Sequence, residues 1–257
     1  SGLRLVTVNG VDPPAWWTGG TSTTFTYMTT AVIGACCTVW KSHFVQGDVI
    51  TSADGRVAPR VQWSALGDPT VWTGTASTGS LDLLDANARK IMTFSVLRTQ
   101  LVAYKEEGVH ALIYKPSPFY FTQQLLHGSL TCISRRAVVS YENGNAHFVF
   151  TKNGLVSFDG QSVQTIGKRL GVDREILTTI NWAARETIWL AYWAETEEIL
   201  IAIPTGSNTR PNRIWVYNLT HDSFWECDLD FLGATGIFNV FSPPRLLGAH
   251  PAVSKIY

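Results

Sequence analysis

The sequence carries little charge and no excess of either sign. Its 257 residues include 20 basic and 20 acidic side chains, and charged residues make up 16% of the chain, against a usual share of about 25%. A neutral surface is poorly suited to holding nucleic acid or an acidic membrane by releasing counterions. We therefore expect no membrane partner and no specific binding of DNA. Low net charge also favours association between copies of a protein.

The sequence also lacks a long apolar run and a paired cysteine motif. Its longest apolar stretch, residues 31–40, is about half the ~20 residues that a membrane helix needs, and it is typical of a buried strand. The four cysteines, Cys36, Cys37, Cys132 and Cys227, do not form a C-x-x-C spacing. Adjacent strand residues point to opposite faces, so Cys36 and Cys37 are poor joint metal ligands. We predict buried thiols and no metal site.

Recognised catalytic motifs are missing as well. The sequence contains no Gly-x-Ser-x-Gly, P-loop or Gly-x-Gly-x-x-Gly motif. Its six histidines are scattered without metal-ligand spacing. Acidic residues cluster at or beside predicted turns, where a solvated role is far commoner than paired acid and base work; they are Asp82, Asp85, Glu106, Glu107, Glu195, Glu197 and Glu198. These observations predict no catalytic residue, no cofactor and no enzymatic activity.

What the sequence does contain is a hairpin pattern that recurs about every 45 residues. In residues 101–112, apolar residues alternate with others on both sides of a turn at Gly108. Residues 148–158 repeat this pattern around Gly154, and residues 189–203 form a third copy whose turn has no glycine. Fixed-period antiparallel units of this length are typical of a β-propeller, whose blades bury their faces against their neighbours. Gly108 and Gly154 should occupy equivalent turns with positive φ, a conformation that other side chains adopt at a cost.

The pattern predicts an all-β, β-propeller-like fold with about five to six blade units and one short connecting helix over residues 168–178. In the second unit, residues 51–59 are expected to be a loose stretch. The third unit should begin at Leu81 and end with an outer strand over residues 119–122, and the sixth should begin at Gly236. The first and last units stop in mid-blade, so residues 1–257 are interpreted as a single domain and a fragment at both ends.

The segment from Trp63 to Trp72 combines a turn with two aromatic residues. Gly67, Asp68 and Pro69 form the turn, because proline fixes φ and aspartate can accept a bond from a backbone amide. One interpretation is that Trp63 and Trp72 clamp the loop onto the edge of a blade. The other is that the loop is a subunit contact or a ligand platform. Neither interpretation makes this segment catalytic.

Two short basic pairs could contact phosphate. Arg135 and Arg136 precede a predicted strand, and Lys168 and Arg169 open the predicted helix. A channel for DNA should not bind the DNA that passes through it, since each contact with a phosphate slows passage. We interpret both pairs as solvated or intersubunit charges.

Several segments, in order, resemble the tail hub, or nozzle, proteins of short-tailed bacteriophages. The resemblance extends from the hairpin at Leu101-Val-Ala-Tyr-Lys-Glu-Glu-Gly-Val-His110 to residues 148–159. The earlier matching segments are Leu5-Val-Thr-Val-Asn-Gly-Val-Asp-Pro-Pro14, Val39-Trp-Lys-Ser-His-Phe44, Arg60-Val-Gln-Trp-Ser-Ala-Leu-Gly-Asp-Pro-Thr-Val-Trp72 and Leu81-Asp-Leu-Leu-Asp85.

This resemblance implies a structural protein of the virion. Such proteins are propeller-like, assemble as a homo-oligomeric ring, a hexamer by family resemblance, and form the last section of the DNA exit channel. The implied partners are the tail adaptor and the fibre or spike proteins, and DNA passes through without specific binding. Three alternatives remain open: a carbohydrate-binding propeller, a propeller hydrolase, which would need a central cluster of carboxylates, and a propeller that mediates protein interactions.

Overall fold

A computed structural model describes residues 5–17, 22, 24–28, 32–85, 88–115, 120–227, 233–238, 245–250 and 255–256. The chain folds as two compact units, Ser1–Thr131 and Cys132–Tyr257. The prediction of a single domain over residues 1–257 stays a prediction. Among the described residues, no helix is long and apolar enough to cross a membrane.

The first unit contains three antiparallel sheets. A three-stranded sheet comprises β1 (Leu5–Thr7), β2 (Ala15–Trp17) and β3 (Thr26–Tyr27). The second sheet comprises β4 (Ile33–Trp40), β5 (His43–Thr51), β6 (Gly55–Trp63) and β7 (Gly79–Asp82). The third comprises β8 (Ile91–Leu97), β9 (Gln100–Lys105), β10 (Glu107–Tyr114) and β11 (Phe121–Thr131).

The second unit repeats this organisation. Its first sheet comprises β12 (Val138–Tyr141), β13 (Ala146–Thr151), β14 (Gly154–Phe158) and β15 (Val163–Thr165). The next comprises β16 (Trp189–Trp193), β17 (Glu198–Ile203), β18 (Arg213–Asn218) and β19 (Ser223–Cys227). The last comprises β20 (Gly233–Phe238), β21 (Arg245–His250) and β22 (Lys255–Ile256). Helix α1 (Val172–Thr179) follows β15, and 3-10 helices cover Glu142–Gly144 and Trp182–Thr187.

Each sheet is an antiparallel meander in which strands that are neighbours in sequence are neighbours in space. The described residues thus form six propeller-like sheets, which confirms the predicted fold class of five to six blade units. The predicted helix over residues 168–178 begins later, at Val172, because Gly171 adopts a left-handed φ of 78° immediately before it.

Three strand predictions were wrong. The stretch over residues 51–59 is not loose, since β5 runs through Thr51 and β6 begins at Gly55. Leu81 lies in β7, which pairs with β6 and closes the second sheet instead of opening the third. The outer strand of the third sheet is β11, which extends to Thr131 because polar residues are tolerated on its exposed stretch. Residues 119 and 240, which the sequence placed in strands, lie outside the described residues.

Alternation along the strands builds the core of the first unit. Val45, Val61 and Trp63 of the second sheet are buried with Ile91 and Leu101 of the third. A second cluster buries Phe44, Val49 and Trp72, and two partly buried residues pack against it, Val6 of β1 and Val8, which follows β1. Because strand side chains alternate between faces, a sheet can pack against two neighbours, which is the packing expected between blades.

Candidate functional site

The loop formed by residues 64–72, here called the corner loop, is held by the two tryptophans that bracket it. Trp63 is 5% exposed and its ring meets that of Phe121 edge-on, with centroids 4.9 Å apart. Trp72 is 6% exposed, packs edge-on against Phe44, and donates from Nε1 to the Pro69 carbonyl at 2.9 Å. Both indoles are buried, so neither offers an open face for stacking a ligand, and their burial favours the clamp interpretation.

Hydrogen bonds fix the corner loop internally and to the β4–β5 turn. Asp68 Oδ1 accepts from the Thr70 amide at 2.9 Å and from the Thr70 hydroxyl at 2.6 Å. Gly67 has a φ of 75° and donates from its amide to the Ser42 carbonyl at 2.8 Å. Aspartate followed by a bonded amide two residues later is a common turn device. The loop is therefore organised before it meets any partner.

Ser64 and His43 join the base of the corner loop to the sheet. The Ser64 carbonyl accepts from His43 Nδ1 at 2.7 Å, and the Ser64 hydroxyl oxygen accepts from the Phe44 amide at 3.0 Å. The His43 ring lies edge-on to Tyr120 and Phe121, each with its centroid 5.4 Å away. His43 is fully buried, so it supports the loop and is closed to solvent chemistry.

Two aliphatic side chains are exposed at this corner, beside the exposed polar residues Lys41, Ser42 and Asp68. Leu66 at the loop tip is 54% exposed, and Val39 on β4, near the turn that Gly67 contacts, is 67% exposed. An exposed aliphatic side chain on a rigid loop can bind an apolar surface at little cost in conformational entropy. The corner therefore suits a protein contact better than it suits bond-breaking chemistry.

A buried ionic cluster, here called the Asp85 cluster, lies behind Gly108. Lys105 is fully buried and its Nζ lies 2.8 Å from Asp85 Oδ1 and 2.9 Å from the Leu83 carbonyl. His110 Nε2 lies 3.2 Å from Asp85 Oδ2. Burial lowers the pKa of His110, and the bond to Asp85 partly opposes that shift. The cluster ties β9 and β10 to the segment after β7.

Gly108 has the positive φ that the sequence predicted, 100°. A methyl group on it would come within 2.6 Å of Asp85 Oδ2. Gly154, with a φ of 121°, likewise has a carboxylate against it, that of Asp173. The two turns are not equivalent in length, however, because two residues separate the pair Thr151 and Gly154, whereas residues 105–108 lie between the pair Tyr104 and Val109.

Sequence reasoning missed the Asp85 cluster as a unit. It assigned Asp85 to a solvated turn, and the structure corrects this, since the Asp85 side chain is only 8% exposed. The signal was the presence of Lys105 and His110 within apolar strands, where a charged or polar side chain requires a partner. The identity of that partner was not readable, because Asp85 lies 25 positions before His110.

The thiols and the basic pairs are also placed by the structure. Burial raises the pKa of the Cys37 thiol to about 11 and that of Cys132 to about 12, so neither is a ready thiolate near neutral pH. Arg169 forms a two-point ion pair with Asp222, which also accepts a bond from the Tyr217 hydroxyl at 2.8 Å. Among the described residues, no three His, Cys, Asp or Glu side chains are grouped to hold a metal.

The fold is similar to that of two solved bacterial proteins. A structure described as a putative 6-phosphogluconolactonase from Bacteroides fragilis matches 99% of this chain and 78% of its own, with 8% identity and a TM-score of 0.55. A second, from Bacteroides uniformis with the same description, matches 99% of this chain and 79% of its own, with 9% identity and a TM-score of 0.50. No protein-family model and no curated protein matches the sequence.

These likenesses correct one expectation. The sequence analysis predicted that the chain is not an enzyme, and that exclusion does not stand, because the fold is shared with proteins described as lactonases. The catalytic motifs that the sequence lacks are those of other folds and other reactions. Their absence therefore does not exclude an enzyme with this fold. At identities of 8–9% the likeness shows the β-propeller fold alone.

Proposed function

We propose that this chain is a structural subunit of a bacteriophage tail hub, or nozzle, and that it assembles in the virion as a homo-oligomeric ring around the path of the DNA. The proposal is supported by the ordered segments that resemble this family and by the β-propeller fold. The neighbouring tail adaptor and the fibre or spike proteins are its proposed partners. The chain forms the wall of a conduit and does not read the DNA sequence.

The observation that carries the proposal is the corner loop. Its backbone is fixed by the Gly67 and Asp68 hydrogen bonds, its base is clamped by two buried indoles, and its tip presents an exposed leucine. A subunit that gains its neighbours through a pre-organised apolar contact loses little entropy on assembly. A formal net charge of zero leaves no long-range repulsion between copies.

The test is the mass of the protein in solution. We expect a closed oligomer by light scattering and a ring by negative-stain imaging, alone or with the adjoining tail protein. Leu66→Lys should shift the mass toward the monomer, because it places a charge in an apolar contact. Leu84→Lys is the matched control, since Leu84 is 65% exposed and lies beyond the other end of the sheet. A stable monomer under every condition would overturn the proposal.

The conduit role also predicts weak binding of duplex DNA near physiological salt. Arg169 is already paired with Asp222, so it is a poor anchor for phosphate. An anisotropy titration should show little binding, and neutralising Arg135, Arg136, Lys168 and Arg169 should change it little. Tight binding that those four changes abolish would replace the conduit role with a nucleic-acid-binding one.

The second candidate is hydrolysis of a sugar lactone, and its support is the fold likeness to the two Bacteroides proteins. Hydrolysis of 6-phosphogluconolactone by the purified protein, measured against the spontaneous rate, is the direct assay. Turnover by a monomeric preparation would favour this candidate over the tail proposal.

A further inference from the structure

The connections between the strands of the second unit lie at two opposite ends of its sheets. In an antiparallel meander such as β12–β15 or β16–β19, successive turns alternate between the two ends of the sheet. These two sheets point in the same direction, because Arg136, just before β12, forms a parallel bridge with Trp189, the first residue of β16. Turns at corresponding positions in the two sheets therefore lie at the same end of the unit.

One end is built from the first and third turns of the two sheets, residues 142–145, 159–162, 194–197 and 219–222. Each of these four turns contains at least one carboxylate, and none contains lysine or arginine. The negative charge is therefore not compensated within the turns themselves. We call this surface the acidic end, and its carboxylates belong to Glu142, Asp159, Glu195, Glu197 and Asp222.

The other end is built from the second turns and from the segments that lead into β12 and β16, residues 132–137, 152–153, 166–188 and 204–212. These segments contain eight basic and three acidic side chains, and one of the three, Asp173, is buried. We call this surface the basic end. Three of its exposed basic residues form no ion pair among the described residues, and they are Lys168, Arg174 and Arg210.

Contacts between turns hold the acidic end in one arrangement. The Leu219 amide donates to the Glu197 carbonyl at 2.9 Å, and the Thr220 hydroxyl donates to the Glu197 carboxylate. Burial raises the pKa of Tyr192 on β16, and the nearby charges of Glu197 and Glu142 raise it further. Because Glu142 follows β12 and Glu197 follows β16, carboxylates from two sheets lie on one surface.

Backbone bonding also fixes the basic end. The loop over residues 204–212 is bonded to the last residue of α1, since the Gly206 amide donates to the Thr179 carbonyl at 3.1 Å. Arg210 in this loop and Arg174 on α1 are therefore parts of one surface. Both ends are formed when the unit folds, so a contact between them loses little conformational entropy.

An ion pair within the chain shows that charges of the two ends can meet. Arg169 of the basic end binds Asp222 of the acidic end through two hydrogen bonds. By contrast, Glu142, Glu195 and Glu197 form no ion pair with any residue that the structure describes. Either end alone would suit any molecule of opposite charge, but this chain carries both ends and a formal net charge of zero. A second copy is the partner that compensates both ends at once.

We infer that the acidic end of one copy binds the basic end of the next copy, and that this contact is part of the proposed ring. The inference rests on the proposed function. A contact between two different surfaces of the same chain is heterologous, and such contacts form a ring when the rotation between copies closes. Complementary charge speeds association and sets which surfaces meet, although each exposed pair adds little affinity.

The test reverses the charge of each end in the full chain. One variant changes Glu142, Glu195 and Glu197 to lysine, and the other changes Lys168, Arg174 and Arg210 to glutamate. Each variant alone brings like charges together, so we expect its self-association to weaken by at least about tenfold. The matched control reverses three exposed basic residues of the first unit and should assemble like the wild type; it changes Arg89, Arg98 and Lys115 to glutamate.

An equimolar mixture of the two variants is the decisive sample. The lysine-bearing acidic end of one variant faces the glutamate-bearing basic end of the other, and the unchanged ends face each other, so the mixture should recover the wild-type mass by light scattering. Wild-type association should also slow as NaCl rises from about 0.05 M to about 0.5 M, because salt screens exposed charges. Melting temperatures close to that of the wild type establish that both variants fold.

Several outcomes would overturn the inference. Wild-type assembly by both variants, independent of salt, would remove the charge contact and leave the proposed ring intact. Folded variants that each fail to assemble and do not recover when mixed would show that the two ends do not bind each other. Duplex DNA binding that the glutamate variant loses while it still assembles would assign the basic end to nucleic acid. A protein that stays monomeric, alone and with tail proteins, would end both proposals.

Discussion

Each unit contains a glycine with positive φ packed against an aspartate carboxylate, but the two carboxylates are satisfied in different ways. Asp85, behind Gly108, is bonded by two side chains, Lys105 and His110. Asp173, behind Gly154, accepts from the Leu155 amide at 3.0 Å and lies in the first turn of α1. One site holds a buried ion pair and the other a backbone cap.

The difference shows that similar local geometry can have unlike energetics. Burial raises the pKa of Asp173, although bonds from backbone amides oppose the shift. Its carboxylate has no basic side chain bonded to it among the hydrogen bonds of the described residues. At the Asp85 cluster the buried cation depends on its anion, and breaking such a pair costs far more than a missing cap. Substitutions at each site measure this difference in free energy.

The largest effect is expected from removing the charge of Asp85. Asp85→Asn leaves the buried Lys105 ammonium without its anion and should cost about 3–5 kcal/mol of unfolding free energy. Asp173→Asn should cost about 1 kcal/mol, because an amide oxygen can still accept from Leu155. Urea unfolding of both variants measures the contrast. Equal losses of unfolding free energy would mean that the two sites are energetically alike. The double variant Asp85→Leu with Lys105→Met should recover part of the loss caused by Asp85→Asn.

The glycines themselves should rank in the order of their contacts. Gly154→Val should cost about 2–4 kcal/mol, because it adds backbone strain and displaces the carboxylate of Asp173. Gly108→Val should cost about 1–3 kcal/mol, since it meets only one oxygen of Asp85. Gly55→Val is the control for strain alone, because Gly55 has a φ of 67° and open space around it. Unchanged melting temperatures for both glycine variants would refute the relation between the two turns.

The smallest effect concerns pH. Because the pKa of His110 is lower in the folded protein than its ordinary value of about 6.5, the unfolded chain takes up the proton first. His110 therefore contributes stability above that pH, and the contribution is lost as the pH falls through its folded pKa. His110→Asn should flatten the decline in unfolding free energy between pH 7.5 and 5.5 by on the order of 1 kcal/mol.

Asp173 should give the opposite dependence of the unfolding free energy on pH. Its pKa is higher in the folded state, so its contribution is present at low pH and is lost as the pH rises through the folded pKa. Stability curves of wild type and Asp173→Asn below pH 6 would show this. His221→Asn, at an exposed turn, is the control for removing a histidine. For the His110 prediction, if the unfolding free energy declines with acid equally in the wild type and in His110→Asn, the decline is due to other groups.

The hairpins were readable from the sequence because their signals are local. Alternation of apolar residues around Gly154 predicted β13 and β14, and the chain at this turn needs a conformation that glycine adopts without strain. The strands β2 and β3 and the length of β11 were missed. The first two are very short, and β11 contains polar residues such as Gln123 and Gln124 that its edge position tolerates.

Local patterns in the sequence were enough to predict the fold class, the turn glycines and the tryptophans around the corner loop, because periodicity and turn chemistry act over a few residues. The three-dimensional packing was needed to show that both indoles are buried and that Asp85 meets Lys105 and His110. These facts depend on which strands become neighbours, and residues 20 to 25 positions apart in sequence carry no local record of their contact. Packing, and not propensity, assigned each carboxylate to its glycine.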